Sequence, residues 1–342
     1  MAVALRDFRL DWLRRAAVVS AACGITVTIG IWLVLKSKYY GLPVAVLPLA
    51  VGVPAWLAIT KRTGLALAVV LLYLGLFDGV VKLMTGGQAA TLGRDVLLYA
   101  VAIGMAIRAR GPFRAPALRG WVLAWIVVVV VQLANPGNSS MLHAVASLRQ
   151  DLEFVPLFCI GFVALRTHAS LHAFFALLLA IAAINGPVAA YQGSLTPQQF
   201  SAWGPGYSRL INQPGQGRVF TDAHGKPRVR PPGLGSDGGF GGTLAATALP
   251  GGIALLITYR RRRWLLALIV LGMIGAVIGV LTSETRDCVI TAIVAVVATL
   301  GLLAVGRQGK RSLIALCLVA AMAAIAVNAV SSYDPQAFYR YK

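Results

Sequence analysis

Residues Gly193–Gly242 read GSLTPQQFSAWGPGYSRLINQPGQGRVFTDAHGKPRVRPPGLGSDGGFGG and form a long polar segment between two apolar runs. The segment carries the cations Arg209, Arg218, Lys226, Arg228 and Arg230 against the carboxylates Asp222 and Asp237. It is dense in Gly and Pro, which predicts that most of it is neither regular helix nor strand. Loops longer than about 15 residues without secondary structure of their own are usually functional or disordered. The sequence on both sides is apolar over helix-length runs, so the segment reads as a loop presented by a scaffold of membrane helices.

Composition agrees with that reading. Of the 342 residues, 58% are apolar and 12% charged, with a mean hydropathy of +0.78. Soluble domains carry about 25% charged residues, so the core is built against lipid rather than water. A net charge of +20 would point to nucleic acid in a soluble protein. Here the excess of cations facing the cytoplasm and an anionic lipid surface account for much of it. Membrane lipids are therefore expected partners, and nucleic acid is not. The cysteines Cys23, Cys159, Cys288 and Cys317 have no metal-binding or disulfide spacing, and neither a metal nor a cofactor is called for. Asp7 and Asp11 make the start a poor secretory signal.

The fold class expected is all-α: a polytopic membrane helix bundle of about 11 transmembrane helices with a long extracytoplasmic loop. A span needs about 20 apolar residues. Candidate spans cover 16–35, 42–60, 63–82, 91–107, 121–135, 150–165, 170–192, 240–259, 264–282, 287–306 and 312–330. Residues 1–15 form a cytoplasmic interfacial segment, 16–192 an N-terminal membrane bundle, 193–239 the extracytoplasmic loop, 240–330 a second bundle, and 331–342 the start of an outer segment. With the N-terminus in the cytoplasm, the Lys and Arg residues concentrate on inner segments such as 1–15, 108–119, 260–263 and 307–311. That is the bias expected of a bacterial inner (cytoplasmic) membrane protein with its loop outside.

Several helix ends on that outer side carry charge: Arg94-Asp95, Arg149 with Asp151 and Glu153, Glu284 with Arg286 and Asp287, and Asp78 with Lys82. Charge at membrane depth is costly and normally faces a wet cavity or a partner. These clusters together predict one polar cavity opening outward beneath the loop. Asn185-Gly186-Pro187 and Pro250-Gly251-Gly252 predict kinks in the two helices that flank the loop. Gly233, Gly235, Gly238 and Gly239 read as a flexible hinge or helix entry. His168 and His172 read as structural.

Four motifs carry a resemblance. They are Gly93-Arg94-Asp95, Ser147-Leu148-Arg149-Gln150-Asp151-Leu152, Arg228-Val229-Arg230-Pro231-Pro232-Gly233 at the end of the loop, and Leu281-Thr282-Ser283-Glu284-Thr285-Arg286. Across residues 60–330 the chain resembles the O-antigen ligase and O-antigen polymerase superfamily of bacterial envelope proteins. The resemblance implies a glycosyltransferase that moves glycan from an undecaprenyl-diphosphate carrier to an acceptor, a lipid or a growing polysaccharide, on the outer side of the membrane. Such proteins use neither a metal nor a nucleotide sugar. The family's loop arginine corresponds to Arg230, and the arginine at its Ser-Arg helix start to Arg286, preceded here by Thr285. The family also uses a histidine in a further outer loop downstream. This chain ends where that loop is due, which reads as a fragment of a longer protein.

A diphosphate leaving group needs its charge neutralised as the glycosidic bond breaks. Arginine supplies a permanent cation with paired donors that fit phosphate oxygens. Arg230 and Arg286 are the candidate catalytic pair. Arg228, Arg218, Arg94, Arg149, Asp95 and His224 are candidate substrate-binding residues. A base for the acceptor hydroxyl could come from His224, His143, Asp222, Asp237, Glu284 or Asp287. An anion transporter of the bicarbonate type is the competing expectation, with outer cations as an entry site. A non-catalytic fragment or scaffold is the third.

Overall fold

The computed structural model describes residues 52–85, 89–108, 119–135, 141–212, 219–221, 225–235, 240–305 and scattered positions between 317 and 332. The interfacial segment 1–15, the span at 16–35 and most of those at 42–60 and 312–330 lie outside the described residues. So do Arg218 and His224, and the side chains of Arg149 and His143.

Helices dominate. In chain order they are α1 (52–59), α2 (Thr63–Leu72), a π-helical turn (Tyr73–Phe77), α3 (Asp78–Thr85), α4 (Ala89–Arg108), α5 (Arg119–Val131), α6 (Met141–Leu152), α7 (Phe154–Ala164) and α8 (His168–Ser194). The loop region holds α9 (Pro197–Ser201), α10 (Pro205–Asn212), β1 (Val219–Thr221) and β2 (Pro227–Val229). Then come α11 (Phe240–Tyr259), α12 (Arg263–Thr282) and α13 (Arg286–Val305). Five stretches are long and apolar enough to cross a membrane: Thr63–Met84, His168–Ser194, Phe240–Tyr259, Arg263–Thr282 and Arg286–Leu303. Arg119–Ala134 and Val155–Ala164 are shorter apolar helices. Apolar side chains such as Ile290, Ile293 and Val297 on α13 lie exposed, as suits surfaces that meet lipid.

The expected span at 150–165 is broken. α6 ends at Leu152 and α7 begins at Phe154. Pro156 has no N–H to bond the Leu152 carbonyl and its ring crowds that position, so the helix restarts with Pro156 in its first turn.

The chain divides into two compact units, Met1–Val70 with Leu92–Ser170, and Leu71–Thr91 with Leu171–Lys342. The second unit packs α8, α11, α12 and α13 around Leu179, Ala245, Leu249, Ile253, Met273 and Ala276, all buried. Small residues let these helices approach closely, which is how membrane helices associate without a hydrophobic drive between them. At Gly275 a Cβ would stand 2.6 Å from the Cα of Ala183, so nothing larger than Gly fits there without separating α8 from α12. Pro187 and Pro250 both lie within continuous helices. The ring of His172 meets that of Tyr259 edge to face at 5.6 Å.

The loop is more regular than its composition suggests. Thr196 caps α9 in a capping box with Gln199, with Pro197 in the first turn; this satisfies the free N–H groups of the helix start. β1 and β2 pair antiparallel, Phe220 opposite Arg228, and Gly225 takes the positive φ of +75° in their connection. Phe200, Tyr207, Val229 and Leu83 bury one another, so the loop has a small core of its own against the end of α3. Burial pushes the Tyr207 hydroxyl up to about 12, because the phenolate has no water there.

Candidate functional site

Within the second unit the loop closes onto one end of the helices. α8 leads into it at Ser194, and α11 leaves it at Phe240. The α12–α13 turn lies at the same end, since a Cβ on Gly242 would stand 2.5 Å from that of Ser283. Gly79 of α3 meets the loop too, for a Cβ there would fall inside the backbone of Gly235. Arg230, Arg286, Asp78 and Glu284 therefore belong to one end of this unit.

The last turn of the loop is fixed by two amide side chains of α8. Gln192 donates from Nε2 to the Gly233 carbonyl at 2.8 Å and accepts from the Gly233 N–H through Oε1 at 2.9 Å. Asn185 Oδ1 accepts from the Leu234 N–H at 2.9 Å. Its Nδ2 donates to the Gly75 carbonyl in the π-helical turn at 2.9 Å and to Ile181 at 3.1 Å. Both amides are fully buried. They stand seven residues apart, about two helical turns, and so share a face of α8. Of the glycines read as a hinge or helix entry, Gly233 and Gly235 lie in a held turn: Gly233 takes φ at +64°, and the Gly235 N–H donates to the Pro232 carbonyl at 3.3 Å; Gly238 and Gly239 lie outside the described residues. The buried backbone groups of a segment without helix or strand must find partners, and these amides supply them.

Arg230 is half-buried and follows directly on β2. Arg228 lies on β2 and donates from Nη1 to the Gly193 carbonyl at 3.4 Å, tying the strand to the end of α8. Arg286 is exposed as the first residue of α13, and Asp287 beside it suits the positive end of the helix dipole. Glu284 is buried and holds φ at +54°, a strained conformation for a residue with a side chain.

Arg94, Asp95 and Glu153 come together in the first unit. Arg94 Nη2 donates to Glu153 Oε1 at 2.5 Å, and Arg94 Nε stands 3.7 Å from Asp95 Oδ1. Asp95 and Glu153 are buried. Arg94 and Glu153 thus join two charged motifs, α4 and the α6–α7 junction, that are far apart in sequence. Among the described residues no group of three His, Cys, Asp or Glu side chains could hold a metal ion.

Sequence reasoning missed Asn185 and Gln192 as site residues. Asn185 stood out only as part of a kink signal, yet two amides on one face of an otherwise apolar helix demand polar partners. Comparison of the chain with protein-family models, curated proteins and solved structures finds no match.

Proposed function

We propose that this protein is a membrane glycosyltransferase of the O-antigen ligase or polymerase kind, which takes glycan from an undecaprenyl-diphosphate carrier at the outer face of the bacterial inner membrane. The observation that carries the reading is that Arg230 and Arg286, the arginines of two of the motifs that carry the resemblance, belong to the same end of one helical unit. Arg286 opens a helix of 20 residues, whose free N–H groups favour an anion beside it.

In the proposed reaction the acceptor hydroxyl attacks the anomeric carbon and the bond to the carrier diphosphate breaks. The electron pair leaves on the diphosphate oxygen, where Arg230 and Arg286 stabilise the charge. The hydroxyl proton passes to a base. Asp78, Glu284 and Asp287 are the carboxylates at this end among the described residues, and Glu284, strained and buried ahead of Arg286, is our choice. The acceptor enters from the side on which the loop stands.

The test follows transfer of lipid-linked glycan in membranes carrying the full-length gene product. Arg230→Ala and Arg286→Ala should each lose transfer at unchanged expression, while Arg260→Ala, at the opposite end of α11, should retain it. Wild-type transfer by both alanine variants would remove this reading and favour anion transport. Orientation has its own measurement. Ser201→Cys should react with an impermeant maleimide once the outer barrier of intact cells is opened; labelling only after lysis of the inner membrane would place the loop inside.

A further inference from the structure

We infer that Gln192 and Asn185 are positioning residues for Arg230, holding the backbone that sets where its guanidinium stands. This rests on the reading of Arg230 as a diphosphate-binding residue. The two residues between Arg230 and Gly233 are Pro231 and Pro232, both buried. Proline fixes φ near −65°, so this short connection is stiff, and displacement of Gly233 carries through to Arg230. On its other side Arg230 follows Val229, which is buried in the loop core and paired with Val219. The arginine is therefore bracketed by two anchors, a strand pair and an amide clamp.

The chemistry of the clamp suits that role. Prolines donate nothing, so the N–H groups of Gly233 and Leu234 are the first backbone donors after Arg230, and each meets an amide oxygen of α8. The orientation of each amide is set by its partners. Gln192 faces both an N–H and a carbonyl of the same residue, and Asn185 faces two carbonyls and one N–H. A flipped amide would oppose like groups. A carboxylate could not replace either residue, because it accepts only and would draw the neighbouring cation toward itself. Neutral amides fix the backbone without competing for Arg230, and they do not titrate. Asn185 also joins the clamp to the π-helical turn, so the loop end and α8 are tied to the turn that leads into α3.

The experiment uses the full chain in lipid nanodiscs with undecaprenyl diphosphate as the probe. Gln192→Met keeps nearly the same volume and removes both hydrogen bonds. Amide exchange at Gly233–Leu234 should accelerate about tenfold or more, with peptides of α11 and α12 unchanged. Binding of undecaprenyl diphosphate should weaken about tenfold, the loss of roughly one good hydrogen bond. The defect should not add to that of Arg230→Ala, because both act through one guanidinium. A purely structural weakening would add. If Gln192→Met also unprotects α11 and α12, Asn185→Leu carries the same readouts, since it keeps nearly the same volume and removes the acceptor for the Leu234 N–H. Continued protection of Gly233–Leu234 in these variants would overturn the clamp. Wild-type binding with the turn opened, or additive defects, would overturn the positioning role. If Arg230→Ala itself binds the probe as wild type does, the functional reading of Arg230 fails, and this inference fails with it.

Discussion

Arg94 and Arg230 are both arginines of charged motifs, one within α4 and one in the loop after β2, and different contacts hold them. Arg94 is fixed through its own guanidinium, which pairs with Glu153 and lies beside Asp95. The backbone next to Arg230 is held by the neutral amides of Asn185 and Gln192. The first device ties position to charge, so removing Arg94 deprives the buried carboxylates of Glu153 and Asp95 of that cation. The second separates them, because changing the side chain of Arg230 leaves the backbone bonds in place. Variants in the two regions should therefore fail differently, one in folding and the other in function.

The largest effect should come from the ion pair. Arg94→Ala or Glu153→Ala should destabilise the protein by about 3–5 kcal/mol, read as lost yield of folded, monodisperse protein in detergent. Arg94→Lys, which keeps the cation, should recover part of it. If either single variant folds as well as wild type, the first half of the contrast breaks.

Arg230→Ala and Arg286→Ala should cost less thermal stability than Arg94→Ala. Each should remove charge-assisted bonds to the proposed substrate worth roughly 1.5–3 kcal/mol, seen as a fall in transfer rate. Arg→Lys should rescue only in part, since a point charge lacks the two-pronged contact. A drop in stability equal to that of Arg94→Ala would erase the distinction between the regions.

A pH titration sharpens the contrast from the loop side. Tyr207 is pushed up to about 12 from 10.0 in the folded loop. Its neutral form is the one the fold favours, so this contribution is complete below pH 10 and is lost as pH rises from 10 toward 12. It amounts to on the order of 2 kcal/mol. Loop peptides around α10 should gain amide exchange in that window before α11 and α12 do, and Tyr207→Phe should remove the step.

The smallest effect concerns the loop's first helix. Thr196→Ala removes the capping box at α9 and should cost about 1 kcal/mol, measured as faster local exchange with no change in the stability of the helical bundle.

Much of the helical architecture was legible in sequence. The runs 63–82, 170–192, 240–259, 264–282 and 287–306 agree closely with the five observed stretches, because partition into lipid depends on the residues of the run itself. Some misread features were legible too. Pro156 announces the break before α7, and Thr196-Pro197-Gln198-Gln199 announces a capped helix inside the supposed irregular loop. The overall Gly and Pro content masked these local signals. The hairpin was harder to see, since strands of three residues carry too little alternation to be recognised.

The amino-acid sequence by itself determined that the chain is apolar and helical, with runs long enough to cross a membrane, and which arginines belong to its charged motifs. The tertiary structure alone decided their surroundings. Glu153 meets Arg94 across 59 positions, Gln192 meets Gly233 across 41, and Asn185 meets Gly75 across 110. Hydrophobic partition sums over neighbouring residues and so can be read along the chain. A hydrogen bond depends on distance and angle between two particular groups, and those exist only once the helices have packed.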